Sequence, residues 1–486
     1  MHEDPVSSLP QPFQADIRQL MGEERFARFC EGMRGEVPVS IRLNPWKCRG
    51  RYDAVAPESR VPWCEDAFYL QSRPNFTFDP LLHAGLYYVQ EASSMFVGHV
   101  LRQCVPDLGR PLLVLDMCAA PGGKSIAALS ALPEGTLLVS NEPIRARAQV
   151  LAENLHKWGA DHALVTNNYP RDFRDLRLAA DVLLCDVPCS GEGMFRKDRG
   201  AISEWSEERV VQCAQLQREI VAEAWRQLRP GGLMIYSTCT INSREDEENV
   251  AWIVRELGAE PVEVSTDPGW GIEGSLTDAF RGPVYRFLPG LTRGEGLFMA
   301  VLRKPADDSD QTEPSVPRSK KQKAARRKEP ARQQKDPLAA CSRWLRDDHS
   351  YSVLELGDTL CALPEALRTV YDAVDGRLSV MKAGVSLGRV KGRDVIPDQS
   401  LALSPSLSPA AFPRAEVAYA DAIAYLRKEA ILLPADTPRG LVLLTYDGQP
   451  LGFVKNLGTR ANNLYPQEWR IKSTHVPEEE HIIKTR

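Results

Sequence analysis

Between Pro111 and Leu302 the chain alternates short apolar runs with amphipathic stretches, and this alternation constrains the fold more than any other feature of its 486 residues. Residues 112–116, 137–140, 163–166, 182–185 and 233–237 carry buried-strand patterns, and a last apolar strand over 296–302 closes the sheet. Helical periodicity fills the gaps at 144–158, 207–228 and from the capping-like Asn242/Ser243 to Leu257. The 207–228 stretch places Cys213, Leu216, Ile220, Ala224 and Leu228 on one face and stops at Pro230-Gly-Gly232. Strand–helix alternation implies an α/β fold with a parallel sheet and crossover helices. In such doubly wound sheets ligands sit outside the carboxyl ends of the strands, so chemistry is sought in the residues that directly follow each run.

After the first strand comes Asp116-Met-Cys-Ala-Ala-Pro-Gly-Gly-Lys-Ser125. Small residues let a backbone approach a ligand, and the dipole of the following helix favours polar groups there. A phosphate loop is one reading, because Gly123-Lys-Ser125 supplies its tail. Its first glycine, however, is replaced by Cys118, and Pro121 removes a cradling amide. The other reading is S-adenosyl-L-methionine. Glu142, at the end of the second strand, could accept both ribose hydroxyls, or merely cap the next helix.

The strand over 182–185 runs into Asp186-Val-Pro-Cys-Ser-Gly191, where Pro188 ends the ladder, and the next strand ends at Ser237-Thr-Cys239. If these two strands are neighbours they lie about 4.8 Å apart, and the Cys189 and Cys239 thiols, fifty positions apart in sequence, could face one pocket. Methylation of a pyrimidine carbon explains two thiols beside an acid. Carbon 5 of cytosine is a poor nucleophile until a thiolate adds to carbon 6, and a carboxyl such as Asp186 can hold ring nitrogen 3 protonated. The base must be unstacked to enter. No histidine lies in these motifs, so the base that removes the carbon 5 proton is unassigned. No metal is expected, since Cys185 and Cys189 have no second cysteine or histidine pair near them.

Outside this core, residues 13–33 read as an amphipathic helix pair, and Arg42, Lys47, Arg49 and Arg51 make the following segment basic, fitting either a solvated surface or an RNA contact. Residues 305–336 form a charged linker with too few apolar residues for a core. Beyond it, 385–390 reads as a strand, 414–429 as a helix, and 441–446 with 451–455 as a hairpin around Asp447-Gly448. No apolar run approaches the ~20 residues of a membrane helix, and the start of the chain has no secretion signal. Eleven cysteines in so long a chain are no disulfide framework, which points to a reducing cytoplasm. The net charge of −5 argues against indiscriminate coating of nucleic acid, although local charge matters more.

Three signatures in order, Asp116 to Lys124, Asp186 to Gly191 and Ser237 to Cys239, resemble the Sun-domain (Nol/Nop/Sun) RNA cytosine carbon-5 methyltransferases. The segment from Gly452 to Trp469 resembles the PUA-like module of the RsmF-like bacterial ribosomal RNA branch. The resemblance implies a Rossmann-like class I methyltransferase core over 81–304, an N-terminal α/β RNA-binding extension over 1–80, a first C-terminal domain over 337–412 and a PUA-like domain over 413–486. It implies Cys239 as nucleophile, Cys189 as the thiol that assists product release, and Asp186 against the base. S-adenosyl-L-methionine would lie on Cys118, Ala119, Ala120, Pro121, Gly122, Gly123, Lys124, Glu142 and Asp186. Where the family has an acid near the adenine this chain has Thr166-Asn-Asn-Tyr-Pro170, which puts Asn168 or Tyr169 there. The substrate implied is RNA, ribosomal RNA of the small subunit, acted on by a monomer. The competing readings are a non-catalytic RNA-binding assembly factor and a P-loop ATPase.

Overall fold

The computed structural model describes residues 4–306, 341, 343–346, 350–392, 394–473 and 475–486, so the expected linker lies outside the described residues from 307 onward. Nine strands form the central sheet: β1 (Leu113–Asp116), β2 (Leu137–Asn141), β3 (Ala163–Thr166), β4 (Ala180–Asp186), β5 (Leu228–Thr238), β6 (Glu260–Pro261), β7 (Tyr285–Phe287), β8 (Leu297–Arg303) and β9 (Val380–Ala383). Their order is β6-β8-β5-β4-β1-β2-β3-β9, with β7 pairing β8. Strands β1 to β5 are parallel, while β8 and β9 run antiparallel to their neighbours β5 and β3.

Side chains alternate between two cores. Val114, Leu138, Val165, Val182 and Ile235 pack with the helices Phe96–Cys104, Gly123–Ala131 and Arg145–Trp158 on one face. Leu115, Val139, Leu164, Leu183 and Met234 pack with Glu207–Trp225, Glu247–Leu257 and Glu365–Val374 on the other. Burial on both faces is why these strands read as unbroken apolar runs.

Four expectations are corrected. The 296–302 strand does not close the sheet: β6 lies beyond it, and β9, from the C-terminal region, extends the far edge. The long helix stops at Trp225, because Leu228 already begins β5 and Pro230-Gly-Gly232 is a bulge between the Leu228–Ala180 and Leu233–Val182 pairs. That helix buries Val210, Ala214, Gln217, Ile220, Val221 and Ala224 and leaves Leu216 exposed. Gln217 is drawn inward by bonds to Glu245, to the Pro188 carbonyl and from the Tyr236 hydroxyl, which turns the buried stripe. Residues 414–429 are not one helix: Arg414–Glu416 is a strand alongside Gly440–Tyr446, and the helix is Tyr419–Leu426. Sheet pairing overrides helical pattern there.

The first helix, Gln11–Arg34, breaks at Gly22 (φ 75°) into the expected pair and packs on Phe195, Ile241 and Leu288. A four-stranded sheet built from Val39–Leu43, Pro57–Val61, Cys64–Leu70 and Tyr87–Val89 follows. Its core is continuous with that of the C-terminal hairpin Gly440–Tyr446 and Gln449–Asn456, so the two ends of the chain share one apolar interior. Tyr52–Ala54 pairs with the final strand, Ile483–Thr485.

Candidate active site

Register sets the site. Asp116 pairs with Ser140, Asn141 with Thr166, and Asp186 with Ser237, so the polar residues that end β1 to β5 fall in a row along the carboxyl edge. Asn141 is fully buried and links three strand ends, donating to the Met117 and Asn168 carbonyls and accepting from Thr166 Oγ1.

The loop after β1 is held by close packing at its two glycines. Gly122 has φ 112°, in the left-handed region, and a Cβ there would lie 3.1 Å from Leu151. At Gly123 the helix begins, with Tyr88 and Gln90 of the N-terminal sheet against it. Asp116 is wholly buried; one carboxylate oxygen accepts from Ser125 Oγ at 2.6 Å and the other has no partner. Burial pushes Asp116 up to about 7 against the opposing Ser125 bond. Glu142, 1% exposed, accepts from the Ile144 amide at 3.0 Å and lies 3.7 Å from Arg147, so it does secure the next helix.

Lys124 Nζ reaches Asp186 Oδ2 at 2.8 Å. Burial works against the lysine's charge, but the Asp186 carboxylate outweighs it and holds Lys124 above its usual range, with the Cys239 sulfur acting in the same sense. The other Asp186 oxygen accepts from Ser237 Oγ at 2.7 Å.

Cys189 Sγ lies 3.1 Å from Cys239 Sγ. The hydrogen bond with Cys239, and then burial, push the Cys189 thiol well above its usual value. The loops that present the sulfurs are tied together: the Gly193 amide donates to the Cys239 carbonyl at 2.9 Å, and a Cβ on Gly193 would lie 2.1 Å from the Gly296 carbonyl oxygen.

Asn168 and Tyr169 follow β3 but are otherwise engaged. Asn168 accepts from the Ser379 amide and donates to Asp172; Tyr169 is 57% exposed with Arg171 over its ring. The nearest acid there, Asp172, accepts from the Tyr169 amide and was not singled out in the sequence.

Sequence reasoning also missed a layer of buried acids. Glu192 accepts from the Ile241 and Asn242 amides and from Trp205 Nε1, and Glu245 accepts from the Ser190 amide, Gln217 and Asn242. Asp246 and Glu247 surround the fully buried Arg286. The run Glu245-Asp-Glu-Glu248 looks like acids at a helix start, and nothing in its local sequence marks which of them turn inward. The Glu between Gly191 and Gly193 was the available signal, since a charge in a tight glycine loop needs a partner. Among the described residues no group of three or more His, Cys, Asp or Glu is placed to hold a metal ion, all eleven cysteines are free, and no helix is long and apolar enough to cross a membrane.

Residues 109–303 match the family model of the 16S rRNA methyltransferase RsmB/F, 9–92 that of the N-terminal domain of 16S rRNA methyltransferase RsmF, and 412–471 that of the methyltransferase RsmF PUA domain. The chain is 30% identical over 479 residues to the ribosomal RNA small subunit methyltransferase F of Erwinia tasmaniensis, covering 94% of this chain and 96% of that one. The chain belongs to the RsmF family. Another RsmF, from Escherichia coli O81, is 31% identical with the same coverage of both chains. RsmF enzymes are methyltransferases that use S-adenosylmethionine, which sets aside the P-loop reading of Gly123-Lys-Ser125. The fold is shared with a methyltransferase homologue from Pyrococcus horikoshii (TM-score 0.51, 24% identity, 63% of this chain and all of that one). It is also shared with NSun6 from the same organism, solved with SFG (TM-score 0.50, 21% identity, 62% of this chain and all of that one).

Proposed function

We propose that this chain methylates carbon 5 of cytosine in small-subunit (16S) ribosomal RNA through a covalent adduct on Cys239. The observation that carries the reading is the 3.1 Å sulfur pair set beside the Lys124–Asp186 ion pair at neighbouring strand ends. The residues present fit S-adenosylmethionine: a glycine loop whose Cβ positions are filled, an orphaned oxygen on Asp116, and a buried acid at Glu142. Cys118 to Lys124, Glu142 and Asp186 would hold it; the Asn168 side chain is tied to Ser379 and Asp172, which leaves the exposed Tyr169 at the adenine end. When bound it supplies an electrophilic methyl group on a sulfonium.

The protein's part is to make carbon 5 a nucleophile. Cys239, as thiolate beside the Lys124 ammonium, adds to carbon 6; the electron pair of the 5,6 double bond moves into the ring, and ring nitrogen 3 takes up a proton relayed from Lys124 through Asp186. Ser237 and Lys124 fix both Asp186 oxygens, so the carboxylate is positioned before the base arrives. After methylation a proton leaves carbon 5 and the sulfur–carbon 6 bond breaks. The carbon 5 proton passes to solvent, and its bonding pair re-forms the 5,6 double bond. Cys239 leaves as thiolate with the Cys189 thiol donating a hydrogen bond to it, and ring nitrogen 3 returns its proton to the Asp186–Lys124 pair.

Incubation with labelled donor and small-subunit ribosomal RNA, followed by nucleoside analysis, tests the reaction. Label in 5-methylcytosine is expected; label elsewhere, or none, overturns it. A non-catalytic assembly factor would instead bind RNA without turnover whether or not both cysteines were present.

A further inference from the structure

The basic segment noted at Arg42 to Arg51 divides in two. Arg42 is 3% exposed, stacks on Trp158 and donates to Gln90, and half-buried Lys47 donates to the Ala84 and Lys157 carbonyls; both are spent holding the N-terminal sheet to the core. Arg49 and Arg51 are exposed. They border two cavities of 430 and 440 Å³ that share Arg49, Arg346 and Pro405 and so form one groove. The groove is walled by the turn after Pro45–Cys48, by loops 133–136 and 159–162 that precede β2 and β3, and by C-terminal segments around Arg346, Pro405 and Arg414. Loops that precede strands lie at the amino edge of the sheet, opposite the thiols.

Among the described residues Arg49, Arg51, Arg346 and Arg414 form no ion pair, and Arg49 and Arg346 donate only to the Trp46 and Leu407 carbonyls. Of the acids that share the lining, Asp161 is 6% exposed and accepts from the Ser404 and Ser406 hydroxyls, which leaves Glu134 and Asp447 against four arginines. Trp46, half-buried, lines the same groove.

We infer that this groove seats the sugar–phosphate backbone of the RNA substrate at the sheet edge away from the reacting base, with Trp46 as a stacking face for a nearby nucleotide. Planar guanidinium forks suit phosphate oxygens, and an indole beside unpaired arginines is the pairing that single-stranded nucleic acid uses. A cavity of this size accepts a nucleotide-sized group. The inference rests on the RNA-substrate reading above and adds where that RNA is held.

The test is the triple variant Arg49→Ala/Arg346→Ala/Arg414→Ala in the full chain, binding single-stranded small-subunit ribosomal RNA across a potassium chloride series. Three lost phosphate contacts weaken binding roughly tenfold at low salt and reduce the slope of log Kd against log salt by about 2. The KM for RNA rises while kcat at saturating RNA and affinity for S-adenosylmethionine stay at wild-type values. Unchanged affinity and slope overturn the inference, as does unchanged binding to free RNA with lost binding to assembled subunits, which would assign the groove to a protein. Should donor affinity fall with the triple variant, the pair of exposed sites Arg51→Glu/Arg414→Glu gives the same readout. Binding needs no turnover, so a wild-type enzyme that makes no 5-methylcytosine defeats the proposed reaction without touching this result.

Discussion

At the carboxyl edge of the sheet, Asp186, Cys189 and Cys239 lie on two loops with short, dense signatures; at the amino edge, Arg49, Arg346 and Arg414 come from three distant segments with no signature at all. The first edge is braced by buried acids, Glu192, Glu245 and Asp246, that accept from the backbone or side chains of the segments carrying Cys189 and Cys239. Among the described residues the second has no such bracing, and the side chains of Arg49 and Arg346 donate only to carbonyls. Covalent chemistry needs reacting atoms fixed at hydrogen-bond distance, whereas attraction to a phosphate backbone tolerates dispersed charge. The contrast should therefore appear as kcat effects at one edge and KM effects at the other.

The largest expected effect is at the thiols. Cys239→Ala should lower kcat by about 10⁴ or more, as loss of a nucleophile does, while the triple arginine variant leaves kcat unchanged; single-turnover methylation at saturating RNA distinguishes them. Equal kcat losses at the two edges would erase the comparison.

The bracing comes next. Arg286→Met leaves Asp246 and Glu247 buried without their cation and should destabilise the fold by about 3–5 kcal/mol, read from the urea midpoint. A shift below about 1 kcal/mol would mean that the carboxyl edge is not held from beneath.

Asp116 gives a pH test. Its folded value is raised to about 7 by burial, while the unfolded carboxyl titrates near its ordinary value. Between those values the unfolded chain has lost its proton and the folded chain has kept it, so stability falls as pH rises through that window and is lowest above 7. Asp116→Asn should flatten this part of the Tm–pH curve; an unaltered slope would remove Asp116 from the account.

Smallest is Gly122→Ala, which forces a Cβ into a left-handed backbone 3.1 Å from Leu151. A strain of roughly 1–2 kcal/mol is expected, visible as a raised KM for S-adenosylmethionine with little change in RNA affinity. Isothermal titration with each substrate separates the two.

Much of the carboxyl edge was legible because each of its functional groups directly follows an apolar run, and parallel topology brings such positions together. The adjacency of β4 and β5 was only a condition at that point, and the structure meets it: Ser237 pairs with Asp186. What was illegible depended on partners far away in sequence. Gln217 turns the buried stripe of its helix because Glu245 and Tyr236 wait for it inside. β9 joins the sheet from beyond the linker, and the strand Arg414–Glu416 exists because Gly440–Tyr446 offers it a ladder. Arg42 and Arg49, seven residues apart and alike in sequence, part company because only Arg42 meets Trp158. Charge alone does not reveal which side of a sheet edge it will face.

The central claim is the division of labour between two sulfurs 3.1 Å apart. Incubating Cys189→Ala and Cys239→Ala enzymes separately with small-subunit ribosomal RNA and S-adenosylmethionine, then running denaturing gels, tests it directly. Cys189→Ala should accumulate a covalent protein–RNA band and Cys239→Ala none; the band in Cys239→Ala alone would give the nucleophile to Cys189 and contradict the account.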